Sequence, residues 1–412
     1  MTVGVSVPER LPANSRKLAW DSKLRALARY QSIYTDLVGE YSSDKKSLPN
    51  AITVTINDKN SWSYTMTMVL PLVGEGTHTG YLIGNEEALR TVTAKCYRED
   101  CRHAVPTQTE GAEFLETDYY QLYPMAQPLL SNWNKDREDL EYHQAAQEQF
   151  GETLYHNSTE DVCITNLQRN IFIPGLELQN ASPIYSSNPA TYTQNVIEKI
   201  VEAGNGSLAP TASQVPNTVN LTNFQHFLIN RKVEQLDIPG LPGGKGWFLV
   251  VGNVMAGYMK ETSWSSNNLG KLWKDTTSMN DKLLKYYGVI GQYGKFVVVE
   301  DVRQCTLLPG GTSEYSATTG YMFPGDNDQR NLDQPNVRDC VFALGKAAFY
   351  RWTPQPLRFT DQEDDYKRFK GIGTTVVRGI GSILWDQQTP TSSSCRNYGI
   401  AVMYCGFPDM IA

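Results

Sequence analysis

A chain of 412 residues can bury about three-quarters of its unfolded surface, so its core needs no disulfide staples. Hydrophobic residues at 40%, aromatics at 11% and seven cysteines exclude the disordered, collagen-like and disulfide-scaffold classes. The formal net charge of -7 argues against a dedicated nucleic-acid binder, which carries a basic face.

The first ten residues, Met1 to Arg10, have neither the basic start nor the apolar run of a secretory signal. Trp20, Leu24, Leu27, Tyr30, Tyr34 and Leu37 then recur at steps of three or four, which predicts an amphipathic helix. Such a piece cannot build a core alone and must dock on a neighbour. Three strands are predicted next. Ile52, Val54 and Ile56 alternate with threonines. Trp62, Tyr64, Met66, Met68 and Leu70 alternate with Ser61, Ser63, Thr65 and Thr67. Val92, Ala94 and Cys96 face inward on the third. Between the second and third, residues 73–89 are rich in Gly and Glu and read as the extended tip of a two-stranded ribbon. A lone ribbon is marginal in water, so this one calls for a partner surface.

From Glu113 to about Phe150, Leu122, Ala126, Leu129, Trp133 and Leu140 trace one stripe of a long helix. Pro124 and Pro128 complicate its start, and the straight portion is expected to begin near Pro128, with Gly151 as the stop. Residues 160–375 alternate short helices and strands with polar loops. Thr193 and Thr222 are the expected caps of two helices. Trp247 to Val251 and Phe296 to Val299 read as buried strands, and Asn253 as the cap of a short helix. Loops are expected at 204–220 and 306–337. Strand character returns at Thr374 to Val377 and Ile400 to Tyr404. The class is α+β. The apolar run Gly246 to Met259 is too short for a membrane span, which needs about 20 residues. An odd cysteine count fits a reducing compartment.

No motif argues for catalysis. Gly243-Gly244-Lys245-Gly246 resembles a phosphate loop, but Pro239 stands at the first Gly position and Gly246 replaces the hydroxyl residue, so a plain turn is expected. Gly379-Ile380-Gly381-Ser382 lacks the spacing of a nucleophile elbow. Cys96, Cys101 and His103 have no second pair to close a four-ligand metal shell, and Cys96 reads as a buried structural thiol. The acidic run Asp361, Glu363, Asp364, Asp365, followed by Lys367, Arg368 and Lys370, reads as a solvated loop or an inter-subunit salt-bridge patch. No catalytic residue, metal ligand or cofactor is assigned.

One stretch carries more information: Gly74-Glu75-Gly76, then Gly80, then Gly84-Asn85-Glu86-Glu87-Ala88-Leu89, then Arg102-His103-Ala104-Val105, with a long helix following. It resembles the major capsid proteins of tailed bacteriophages, specifically coat proteins of short-tailed phages. Trp247 to Val251 and Val297 to Asp301 are similar to later landmarks of that family. Gly252-Asn253 departs from it, standing where relatives more often carry His-Pro. The resemblance implies an N-terminal arm at 1–48, an E-loop ribbon with flanking strands at 49–108, and a peripheral domain with the spine helix at 109–165. An axial domain with inserted loops would span 166–373, and C-terminal strands at 374–412 would return to the peripheral domain.

It further implies a structural subunit, not an enzyme. Such a subunit self-assembles into the hexamers and pentamers of an icosahedral head, located in the virion after assembly in the bacterial host cytoplasm. Portal, scaffolding and decoration proteins are the accessory partners that role admits. Double-stranded DNA would be enclosed without sequence-specific binding, and no membrane is involved. Inter-subunit contacts are expected at Gly74, Glu75, Gly76, Gly84, Asn85, Glu86, Glu87, Arg102 and His103, with spine packing at Leu122, Leu129, Trp133 and Leu140. Two other readings stand beside it. One is an encapsulin-like compartment shell of the same fold. The other is a soluble carboxylate-dependent hydrolase, for which aromatics such as Trp264 and Trp273 stand but no acid pair is singled out.

Overall fold

The computed structural model describes residues 34, 37–42, 48–59, 61, 63–69, 89, 91–106, 116–146, 167–168, 170–174, 215–260, 273–275, 281–284, 286, 288–301, 305–308, 321–324, 338–364, 369–389 and 392–406. The chain divides into two units. One comprises Met1–Ser32, Cys101–Glu138 and Leu357–Val376; the other comprises Ile33–Asp100, Asp139–Pro356 and Val377–Ala412.

The larger unit is built on a 10-stranded sheet. In its central strand, Lys245–Gly252, everything after the exposed Lys245 is an unbroken apolar run, the signature of a strand covered on both faces. It pairs parallel with Phe296–Asp301 and antiparallel with Arg338–Leu344. Outward from these lie Val289–Tyr293 and Trp273–Asp275 on one side. On the other side Arg338–Leu344 pairs along its whole length with Ile400–Gly406, which also pairs parallel with Ile171–Phe172.

Strand alternation sorts the core into two layers. Trp247, Leu249, Val251, Phe296 and Val298 pack with Phe224, Phe227 and Leu228 of the helix Thr218–Asn230 and with Met255 and Met259 of the helix Asn253–Lys260. Phe248, Val250, Val297, Val299 and Phe342 pack on the opposite face with Tyr34, Tyr142 and Phe349. Each such side chain contributes roughly 1.5–3 kcal/mol of burial.

A second sheet runs in the order Ser63–Val69, Thr91–Tyr97, Trp385–Thr389, Ser392–Arg396, Leu167–Gln168. Its inward residues Met66, Val92, Ala94, Cys96 and Trp385 join Val54, Ile56 and Trp352 in a third apolar cluster. Burial in that cluster pushes the Cys96 thiol well above its ordinary value. Gly379 makes a close approach possible here: a Cβ at this position would collide with the Tyr97 carbonyl oxygen. A third sheet has the order Val38–Glu40, Thr53–Ile56, Phe349–Asp364, Phe369–Ser382, Glu99–Pro106.

Several expectations need correction. The long helix runs Glu116–Ala146, starting well before Pro128 and passing through both prolines. These lie four residues apart, so their missing donors fall along one line of the helix and the rest of the ladder continues. The helix expected to be capped by Thr222 begins earlier, because Asn217 accepts from the Asn220 N–H. Thr222 instead donates its hydroxyl back to the Thr218 carbonyl at 2.7 Å, the alternative use of a hydroxyl inside a helix. The expected loop 306–337 contains strand, since Cys305–Leu308 pairs antiparallel with Tyr321–Pro324. Asp361, Glu363 and Asp364 close a 16-residue strand, Phe349–Asp364, rather than sitting in a loop. Of the helix expected from Trp20 to Leu37 only Tyr34, which is helical, and Leu37, which is a bend before the strand Val38–Glu40, are described. The helix expected to start at Thr193 lies outside the described residues.

Candidate functional site

Gly74, Glu75, Gly76, Gly84, Asn85, Glu86 and Glu87 lie outside the described residues. The strands that would carry them are described. Ser63–Val69 pairs with Thr91–Tyr97 in an unbroken antiparallel register from Ser63 opposite Tyr97 to Val69 opposite Thr91. Ser63–Val69 forms an edge of its sheet, and the residues between the two strands lie outside the described set, apart from Leu89.

Arg102 and His103 sit on the strand Glu99–Pro106, both exposed. The His103 ring stacks on Trp133 with centroids 4.3 Å apart and planes 28° apart. Its backbone carbonyl accepts from the Thr374 hydroxyl at 3.3 Å. Two residues singled out for different reasons, His103 and Trp133, are therefore in contact. Of the expected spine stripe, Leu129 is 62% exposed while Leu130 is fully buried, so the inward face falls one position later. The side chains of Leu122 and Leu140 are outside the described set.

Other residues escaped sequence reasoning. The helix end Glu116–Ala146 is held by two charge contacts on different strands. Arg378 forks onto Glu141, with Nε to Oε2 at 2.7 Å and Nη2 to Oε1 at 2.9 Å, both side chains nearly buried. His143 Nε2 lies 2.8 Å from Asp301 Oδ2, and the ring packs edge-on to Tyr34. Asn397 accepts through Oδ1 from the N–H groups of Gly399 and Ile400, while Asn170 donates to the carbonyls of Asn397 and Ile400. Their partners lie far away in sequence or depend on a turn geometry that no local motif announces.

Gly243-Gly244-Lys245-Gly246 is a turn entering a strand. Gly243 and Gly244 have φ of 83° and 70°, and Ile238 N–H closes onto the Gly244 carbonyl. A phosphate loop instead opens a helix. Cys96 is buried with Val92 and Ala94 in the apolar cluster. Among the described residues no group of three or more His, Cys, Asp or Glu could hold a metal ion, and no helix is long and apolar enough to cross a membrane.

No family model and no curated protein matches this chain. Solved structures do. A chain of the capsid of Ralstonia phage GP4 superposes at a TM-score of 0.57 with 13% identity, covering 100% of this chain and 99% of that one. A chain of the cyanophage Pam1 capsid asymmetric unit gives 0.56 with 12% identity, covering 92% and 93%. The head structure of Helicobacter pylori bacteriophage KHP40 gives 0.53 with 12% identity, covering 98% and 95%. At such identities the likeness speaks for architecture, and it extends over nearly the full length of each partner: the chain has the phage-capsid fold that the glycine-rich stretch and its flanking strands resemble.

Proposed function

We propose that this protein is the major coat subunit of a phage head, a structural protein without catalysis that assembles with copies of itself into a closed shell. The observation that carries the reading is the match to a capsid chain that covers 100% of this chain and 99% of that one. The described surface supports it. An uncharged edge strand and the exposed Leu129 on the long helix give neighbouring copies something to cover. Hexamers and pentamers repeating such heterologous contacts would close the shell. Residues 74–87, with Arg102 and His103, are the proposed inter-subunit contacts. The net charge of -7 suits a wall that encloses DNA without adhering to phosphates.

Sedimentation velocity and negative-stain microscopy of the purified chain test this. Closed shells or ring-shaped capsomers are expected, and a compact monomer that persists at high concentration overturns the reading. Deleting residues 74–87 is expected to leave thermal unfolding nearly unchanged while abolishing shells. Normal shells from that variant would remove the ribbon from the assembly surface.

A further inference from the structure

The strand Ser63–Val69 has the sequence Ser-Tyr-Thr-Met-Thr-Met-Val: no charge, no proline, and no bulge in its register with Thr91–Tyr97. Those are the devices by which proteins ordinarily blunt an open sheet edge, and all three are missing here. Within an antiparallel pair, alternate residues turn their N–H and C=O toward the partner and away from it. The direction is fixed at Thr67, because both of its backbone groups meet a side chain from outside the sheet. The Thr67 N–H donates to the Tyr41 hydroxyl at 3.0 Å, and that hydroxyl donates to the Thr67 carbonyl at 2.7 Å. Ser63, Thr65 and Val69 share the parity of Thr67, so their backbone groups also face the edge. Among the described residues none pairs with them there.

We propose that Tyr41 is a removable plug on this edge, and that displacing it admits an extended segment of a second copy of this chain. A phenol offers one donor and one acceptor, the same pair that an incoming strand would present to Thr67. Tyr41 is positioned for the task by its own N–H, which donates to the Thr55 carbonyl at 3.2 Å, and by edge-on packing against Tyr64. With the phenol in place, the middle of the edge is occupied and a ladder cannot run through it. With the phenol swung out, Ser63, Thr65, Thr67 and Val69 form one continuous template.

The choice of a like copy as the occupant rests on the shell reading above, drawn from the match to a capsid chain. The strand itself carries no charge, so the repulsion between two subunits of net charge -7 is not concentrated along this seam.

The test uses the full chain. Tyr41→Phe keeps the ring against Tyr64 and removes only the hydroxyl. Followed by sedimentation velocity across a concentration series, the variant is expected to self-associate at about tenfold lower concentration than wild type. Adding Thr65→Pro, which deletes an outward N–H that an edge position can spare, is expected to reverse that gain. An unchanged association midpoint in a folded Tyr41→Phe protein overturns the plug, and so does a gain that survives Thr65→Pro. Hydrogen exchange on the wild type gives a second readout that needs no variant. The amides of Thr65 and Val69 should exchange slowly in the associated form and fast in the dissociated form, and equal rates in both overturn the proposal. The two readings fail separately. Shells from wild type with no change in Tyr41→Phe sink the plug alone. Association of Tyr41→Phe into simple dimers, with wild type always monomeric, sinks the shell and keeps the plug.

Discussion

Two strands of the larger unit, Lys245–Gly252 and Ser63–Val69, are nearly equal in length and opposite in situation. The first has strands on both sides and apolar layers on both faces, and residues 246–252 are all buried. Among the described residues the second has one strand beside it and one covered face, where only Met66 is fully buried. Their sequences report this directly: Gly-Trp-Phe-Leu-Val-Val against Tyr-Thr-Met-Thr-Met. A strand's composition records how many of its sides the chain itself covers. Among the described residues the 10-stranded sheet is covered at its centre, and the sheet of Ser63–Val69 is unpaired at this rim.

The comparison can be broken from the centre outward. Trp247→Ala should cost about 3–5 kcal/mol, read as a lower urea midpoint, because the fully buried indole sits in the cluster shared by the sheet and the helices Thr218–Asn230 and Asn253–Lys260. Arg378→Met should cost about 3 kcal/mol by the same measurement, since it leaves Glu141 charged and nearly buried. Replacing both members, with Glu141→Leu added, should recover much of that loss.

The apolar cluster beneath the rim carries a pH signature. Burial holds the Cys96 thiol neutral beyond its ordinary value of 9.0. Above that pH the unfolded chain releases its proton first, so stability is full below about pH 9 and falls above it, by at most about 1.4 kcal/mol per pH unit. Denaturation at pH 8, 9 and 10 should show the decline, and Cys96→Ala should flatten part of it. The smallest effect belongs to the rim itself: Val69→Thr should change unfolding by less than about 0.5 kcal/mol.

Much of the centre was legible because its signal is local. Trp247 to Val251 and Phe296 to Val299 are unbroken apolar runs, and the inward set Val92, Ala94, Cys96 follows from alternation alone. Boundaries were harder. Asn217 and Thr222 are both capping residues, and only the fold decides which one caps. Pro124 and Pro128 predict a late helix start, yet the helix tolerates both. Charge pairing was invisible, since Glu141 and Arg378 stand 237 residues apart and His143 and Asp301 stand 158 apart. For the candidate site, Arg102-His103 was singled out through its motif and Trp133 through its stripe. Their stacking could not be read from either pattern. Tyr41 gave no signal at all, because its role depends on a hydroxyl reaching the backbone of Thr67, 26 residues later.

The place of Ile400–Gly406 has a consequence for how the protein is made. This strand lies inside the largest sheet, bonded on one side to Arg338–Leu344 and on the other to Ile171–Phe172. Residues up to Gly406 must therefore be synthesised before that sheet can close, and until then the strand Arg338–Leu344 is without this neighbour. Nascent chains interrupted earlier keep an open apolar flank of the kind that chaperones and proteases recognise.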